Sequence, residues 1–108
     1  MKVPPKVKNL IWRACRNAMP TKTTLLRQTI TINPLCEQCH VAHEDPLHAL
    51  WACSELDVVW NDVELWNFKN LVRFMDFKEL LSWIIAEDKN MELFAVTAWS
   101  IWNQRNKV

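Results

Sequence analysis

The eighteen residues Cys36–Cys53, CEQCHVAHEDPLHALWAC, decide how this chain is read. They place three of its four cysteines and one histidine in the order C-x2-C-x8-H-x4-C. A Cys-x2-Cys turn pinches two thiolates onto one ion, and a later His and Cys complete the tetrahedron that Zn²⁺ takes with soft and borderline ligands. The expected ligands are Cys36, Cys39, His48 and Cys53. Three thiolates and an imidazole fill the shell and leave no open position for water, which a catalytic zinc requires. The spacing therefore points to a structural site.

Three other uses of these residues compete with this one. Cysteines can be buried as small hydrophobes, and Cys-x2-Cys also occurs in redox motifs. The redox use expects a helix N-terminus after a strand, whereas this pair follows Asn33-Pro34-Leu35, a turn-forming segment without a βαβ pattern around it. A disulfide framework fits poorly with a chain that shows no secretory signal. His40 and His43 compete with His48 for the fourth position, but His40 directly follows Cys39 and His43 sits in the loop. Only His48 has helical support: Asp45-Pro46 reads as N-cap and first helical position of a short helix, Leu47–Ala52, whose end delivers Cys53.

At 108 residues the chain is long enough for one modest core, with half its residues apolar and seven of them Trp. Glycine is absent, which removes the usual left-handed helix cap and most tight hairpin turns. Helices joined by polar loops are expected, a mainly all-α fold. A brief hairpin between the β-branched segment Thr29–Ile32 and the metal loop is allowed, but no sheet. No apolar run approaches the roughly 18 residues of a membrane span, so the chain is expected to be intracellular, in nucleus or cytoplasm, with no membrane association.

Net charge is +1, but the charges are segregated. Residues 1–35 carry Lys2, Lys6, Lys8, Arg13, Arg16, Lys22 and Arg27 and no acid; residues 36–67 carry Glu37, Glu44, Asp45, Glu55, Asp57, Asp62 and Glu64 and no Lys or Arg. Either the two arms neutralise each other in the fold, or the basic arm faces a phosphate backbone.

Pro4 and Pro5 open a helix whose apolar face is Val7, Leu10, Ile11, Ala14, Cys15 and Ala18. Lys8, Trp12 and Arg16 form a basic stripe with an aromatic at its centre, an arrangement suited to stacking a base between phosphate contacts. A helix-borne Trp is usually buried, so packing of Trp12 on the next module is the expected alternative. Lys6 and Arg13 extend the candidate nucleic-acid set. Thr21 can cap a short helix running to Gln28 with Leu25 and Leu26 inward. Ser54 with Asp57 suggests a cap for a helix with Leu56, Val59, Trp60 and Val63 inward; Asn67–Phe74 reads as a linker turn; Asp76 with Glu79 opens a further helix and Asn90 caps the last. The expected organisation is a zinc-binding module over 1–66 and a C-terminal helical segment over 67–108.

The run Pro4-Pro5-Lys6-Val7-Lys8, Leu10-Ile11-Trp12-Arg13, Met19-Pro20-Thr21, then Cys36, Cys39, Glu44, His48, Cys53 and Val59-Trp60, resembles the zinc-binding domain of plant LINE-type (non-LTR) retrotransposon reverse transcriptases. Ala98-Trp99-Ser100-Ile101-Trp102-Asn103-Gln104-Arg105-Asn106 resembles the segment that leads to their ribonuclease H domain. The resemblance implies zinc on Cys36, Cys39, His48 and Cys53, the reverse transcriptase and ribonuclease H domains as partners, and RNA or DNA as ligand. The sequence has no Asp-Asp pair of the kind that holds polymerase Mg²⁺, so a non-enzymatic accessory role is expected. The retroviral knuckle C-x2-C-x4-H-x4-C shares the ligand types but has half the middle spacer. A spacer packing reverse transcriptase against ribonuclease H is the competing function, and exposure of the Lys8, Trp12, Arg16 stripe separates the two.

Overall fold

The computed structural model describes residues 2–30 and 33–105, leaving aside the side chain of Val63. Five α-helices follow in order: α1 Pro5–Cys15, α2 Lys22–Arg27, α3 Val63–Trp66, α4 Phe77–Ala86 and α5 Met91–Arg105. Between α2 and α3 lie the metal loop, a π-helical turn at His48–Ala52 and a 3₁₀ turn at Ser54–Leu56. The fold is mainly α, as the glycine-free composition implied.

Chain reversal without glycine uses other residues in the left-handed region. Asn17 (φ 57°), Thr29 (φ 58°) and Asp88 (φ 53°) each stand two positions beyond the last residue of α1, α2 and α4. Each closes a paired 6→1 and 5→2 hydrogen-bond motif, as in Ala18 N–H to Arg13 O (2.8 Å) with Asn17 N–H to Ala14 O (3.1 Å). Ile30 to Leu25 with Thr29 to Leu26, and Lys89 to Ile84 with Asp88 to Ile85, repeat the pattern. Asn and Asp tolerate this conformation; a β-branched Thr does not, and Thr29 is held there at a steric cost.

α1 buries Val7, Leu10, Ile11 and Ala14 against α4 and α5. α5 in turn buries Phe94, Ala95 and Ala98 and also carries the π turn. Most of the tryptophans are spent in one aromatic cluster: Trp51 stacks on Phe68 (5.3 Å between centroids), Trp60 on Phe94 (5.6 Å) and Phe77 on Phe94 (5.8 Å). Trp66 meets Trp60 edge-on at 5.0 Å, a favoured quadrupole arrangement. The buried Trp60 Nε1–H donates to Leu50 O at 3.2 Å, so the indole enters the core without an orphaned donor. This core draws on side chains from both 1–66 and 67–108.

Several local expectations are corrected. The helix expected after Ser54 stops after one 3₁₀ turn, and Val59, expected inward, is 42 % exposed. Asp62 caps α3 instead, accepting from Glu64 N–H (2.9 Å) and Leu65 N–H (3.2 Å). The linker turn expected at 67–74 with some apolar packing is present, and its 3₁₀ turn, Asn67–Asn70, delivers Phe68 to the core. Leu26 is 40 % exposed, Ala18 is exposed, and Thr24 is buried on α2 in Leu26's place. The only strand-like pairing among the described residues is a single antiparallel bridge, Leu35 with His43. Thr31 and Ile32 of the expected hairpin, the inward placement of Val63 and Asn106 of the closing segment lie outside the described residues. The caps expected at Asp76 (from Glu79 N–H, 2.8 Å) and Asn90 (from Leu93 N–H, 3.0 Å) are present. Glu79 completes its box one residue further back, accepting from Met75 N–H at 3.1 Å.

Candidate metal centre and basic face

The donor atoms of Cys36, Cys39, His48 and Cys53 all lie within 4.8 Å of one another. Cys36 Sγ and Cys53 Sγ are 3.9 Å apart, and Cys39 Sγ and His48 Nε2 are 3.3 Å apart. Zn–S bonds of about 2.3 Å at tetrahedral angles set an S···S edge of roughly 3.8 Å, so the first separation is that of two ligands on one ion, and far too long for a disulfide.

Two local devices build the cluster. The first is the Cys36–His40 turn, closed by His40 N–H to Cys36 O at 2.9 Å with His40 in the left-handed region (φ 61°). Gln38 N–H points at Cys36 Sγ (3.3 Å), and the amides of Val41 and Ala42 donate to Cys39, so backbone dipoles face the sulfurs. These amides, with the His48 hydrogen bond behind them, bring the Cys39 thiol down to about 6. Cys36 N–H to Ala42 O (2.9 Å) and Glu44 N–H to Pro34 O (2.9 Å) zip the loop shut.

The second device is the π turn. Asp45 Oδ1 accepts from His48 N–H at 2.7 Å, the expected N-cap, but the helix then widens so that Cys53 N–H bonds to His48 O at 3.1 Å. In an ordinary α-helix residues five apart lie about 140° round the axis from each other. The i→i+5 turn brings His48 and Cys53 to the same side, a placement that helical periodicity does not supply. Cys53 is buried, and desolvation pushes its thiol up to about 12. A cation would reverse that balance, since a coordinating thiol is deprotonated outright. His40 and His43 are exposed and stand outside the cluster: His40 contributes its backbone to the turn, and His43 its bridge to Leu35.

Glu44 reads in the sequence as a loop acid and as one residue of the family resemblance, with no role attached to it. It is 1 % exposed, and its Oε1 accepts from Lys22 N–H (2.9 Å), capping α2 from 22 residues away where Thr21 makes no side-chain cap. Its backbone O accepts from Thr23 N–H (3.0 Å) and Thr23 Oγ1 (2.9 Å). Its Oε2 is in ion contact with the Arg105 guanidinium rather than in a regular hydrogen bond. No periodicity argument assigns this carboxylate a role, because its partners come from two separate elements, α2 and α5.

The basic arm is not neutralised by the acidic one. Among the described residues, Lys22 pairs with Glu37 (2.7 Å), which holds that carboxyl below its ordinary range, while Lys6, Lys8, Arg13 and Arg16 take part in no ion pair. Trp12 is 57 % exposed, and the Arg16 guanidinium lies 4.6 Å from its ring centroid. Lys8 and Arg16 are exposed and Arg13 half-buried, and Lys6 sits over the Trp99 ring at 4.5 Å. A cation–π contact orders a cation without cancelling its charge.

A small helical domain organised on a closed Cys₃His cluster is thus the class of protein that fold and site define. Residues 1–60 match the family described as zinc-binding in reverse transcriptase, and the chain belongs to that family. One zinc ion is the cofactor that the family and the donor set together define. No curated protein and no solved structure matches the chain. No helix among the described residues is long and apolar enough to cross a membrane.

Proposed function

We propose that Cys36, Cys39, His48 and Cys53 hold one structural Zn²⁺, and that the domain it stabilises serves a retrotransposon reverse transcriptase of the plant LINE type as a non-enzymatic accessory that contacts nucleic acid through α1. The closed shell leaves the metal no position for a reacting water, so the ion organises structure. The observation that carries the nucleic-acid reading is the exposed Lys8–Trp12–Arg16 stripe, whose cations meet no carboxylate among the described residues. Unpaired cations on one helix face release counterions when they meet phosphates, and an exposed indole adds a surface for a base. On this reading 1–66 is the metal-bearing unit and 67–108 leads toward a ribonuclease H domain, with polymerase and ribonuclease H domains as the neighbours of one polyprotein, working in nucleus or cytoplasm.

A titration of the zinc-loaded chain with single-stranded RNA and DNA at two salt concentrations tests it. Binding should be salt-sensitive and sequence-tolerant, and Lys8→Glu with Arg16→Glu should flatten the log–log salt slope by about 1.4, the share of two single-strand phosphate contacts. No binding at low salt, or an unchanged slope, sinks the role of α1.

The spacer reading rests on a different observation. A cleft of about 600 Å³ lies between the metal loop and α5, lined by Leu56, Val59 and Ile101 beside Cys36 and Cys53. A neighbouring domain seated there would cover the exposed Val59.

A further inference from the structure

The basic face of α1 does not end at the stripe. At 100° per residue, Lys8, Trp12 and Arg16 occupy one side of the solvent-facing arc, and Asn9, Arg13 and Lys6 continue it toward α5. There a groove of about 260 Å³ opens between the two helices, with Lys6, Asn9 and Arg13 on one wall and Trp99, Trp102 and Asn103 on the other. No acid lines it. Trp99 and Trp102 are half-buried, so each keeps part of its ring open, and the Lys6 ammonium is already placed over Trp99. Cations on one wall, indoles on the other and an amide on each are the chemistry of a site that takes a base by its face, its edge by an amide, and its phosphate by a guanidinium or ammonium.

Resting on the nucleic-acid reading of α1, we propose that this α1–α5 groove receives an unpaired base and makes the domain a single-strand binder, with the strand passing from the groove across Arg16 to Trp12. A base within a duplex is stacked and shows only its edges, so it cannot enter sideways between Lys6 and Trp102; an unpaired base can. The cations of the stripe alone would hold single strands and duplexes alike, because phosphates are common to both. Trp12 offers an unpaired base one open face, whereas the groove takes it between two walls and is the larger source of discrimination. Its contacts reach base faces and phosphates rather than the sugar, so RNA and DNA single strands bind alike.

The test uses the whole zinc-loaded chain, a labelled 12-nucleotide oligo(U), oligo(dT) of the same length, and a 12-base-pair duplex. The wild type should bind either single strand about ten-fold tighter than the duplex, the share of one stacked base. Trp102→Leu, which keeps an apolar side chain but removes the ring, should remove most of that preference and leave duplex binding within two-fold. Should Trp102→Leu fail to melt cooperatively, Asn103→Leu, which loses the amide but no aromatic packing, is read in its place and should lower single-strand binding selectively. Equal wild-type affinity for single strand and duplex, or groove variants that bind oligo(U) normally while Lys8→Glu/Arg16→Glu does not, overturns the groove and leaves the α1 reading standing. No binding of any probe overturns both.

Discussion

Arg105, the last residue of α5, places its guanidinium against the carboxylate of Glu44, buried in the metal loop. The contact ties the end of the chain's longest helix to a loop 61 positions earlier, and through Glu44 Oε1 to the start of α2. The family match ends at residue 60, so the pair also fastens the matched part of the chain to the part beyond it.

A buried carboxylate stripped of its cation is a costly group, with breaking such a pair worth about 3 kcal/mol or more. Arg105→Leu should therefore destabilise the zinc-loaded chain by about that amount in urea unfolding. Glu44→Leu combined with Arg105→Leu should recover part of the loss, because no charge then remains buried. A single-variant loss under about 0.5 kcal/mol, the range of ordinary surface substitutions, refutes this weight for the pair.

Zinc removal should melt the middle of the chain, since the four donors are brought together only in the folded state and structural zinc contributes on the order of 10 kcal/mol. Helicity at 222 nm should fall on chelation and return with Zn²⁺. A chain with the same circular dichroism before and after chelation does not depend on the metal.

Thiol labelling reads the same site and adds a pH dependence. With zinc bound, Cys15 should be the single reactive thiol of four, and chelation should release the other three. Burial raises the Cys15 thiol above 9.0, with Lys78 opposing and Asp76 adding to the rise. Its alkylation should consequently be slow at pH 8 and increase about ten-fold per pH unit through pH 9. Because the folded thiol keeps its proton longer than the unfolded one, its contribution to stability is intact below pH 9 and is lost as pH rises through the folded value. Fast labelling of Cys15 at pH 7 would contradict the burial.

Among the histidines, His48→Ala should weaken zinc far more than His40→Ala or His43→Ala, measured by competition with a chromophoric chelator. His40→Gly should keep full affinity and add stability, since only the left-handed backbone of that residue serves the turn. Equal losses from all three alanine variants would displace His48 from the cluster.

Thr29→Gly should raise the melting temperature by several degrees, corresponding to about 1 kcal/mol, because a β-branched residue at φ 58° is relieved of a clash. An unchanged or lower melting temperature would show that Thr29 Oγ1, which donates to Gln28 O at 2.6 Å, compensates for the strain.

The sequence by itself determined the elements whose cause is local. Pro4-Pro5 and the spacing of Val7, Leu10, Ile11 and Ala14 dictate α1; Asp45, Asp76 and Asn90 cap the helices they precede; the Cys-x2-Cys turn and the spacing to Cys53 select a zinc donor set. Each of these follows from a few neighbouring residues and the 3.6-residue period. Only the tertiary structure decided the rest. Whether Val59 and Leu26 turn inward depends on what stands opposite, and the described residues leave both exposed. Trp12 stands about 140° round α1 from Val7, opposite the buried face, and stays exposed because no other described element of the chain crosses that side. The widening of the His48–Ala52 turn answers a demand that His48 and Cys53 face one point, which no window of sequence expresses. Glu44 is an ordinary loop acid until α2 and α5 close over it, since the burial of a charge is a property of distant partners meeting, and those partners are separated by most of the chain.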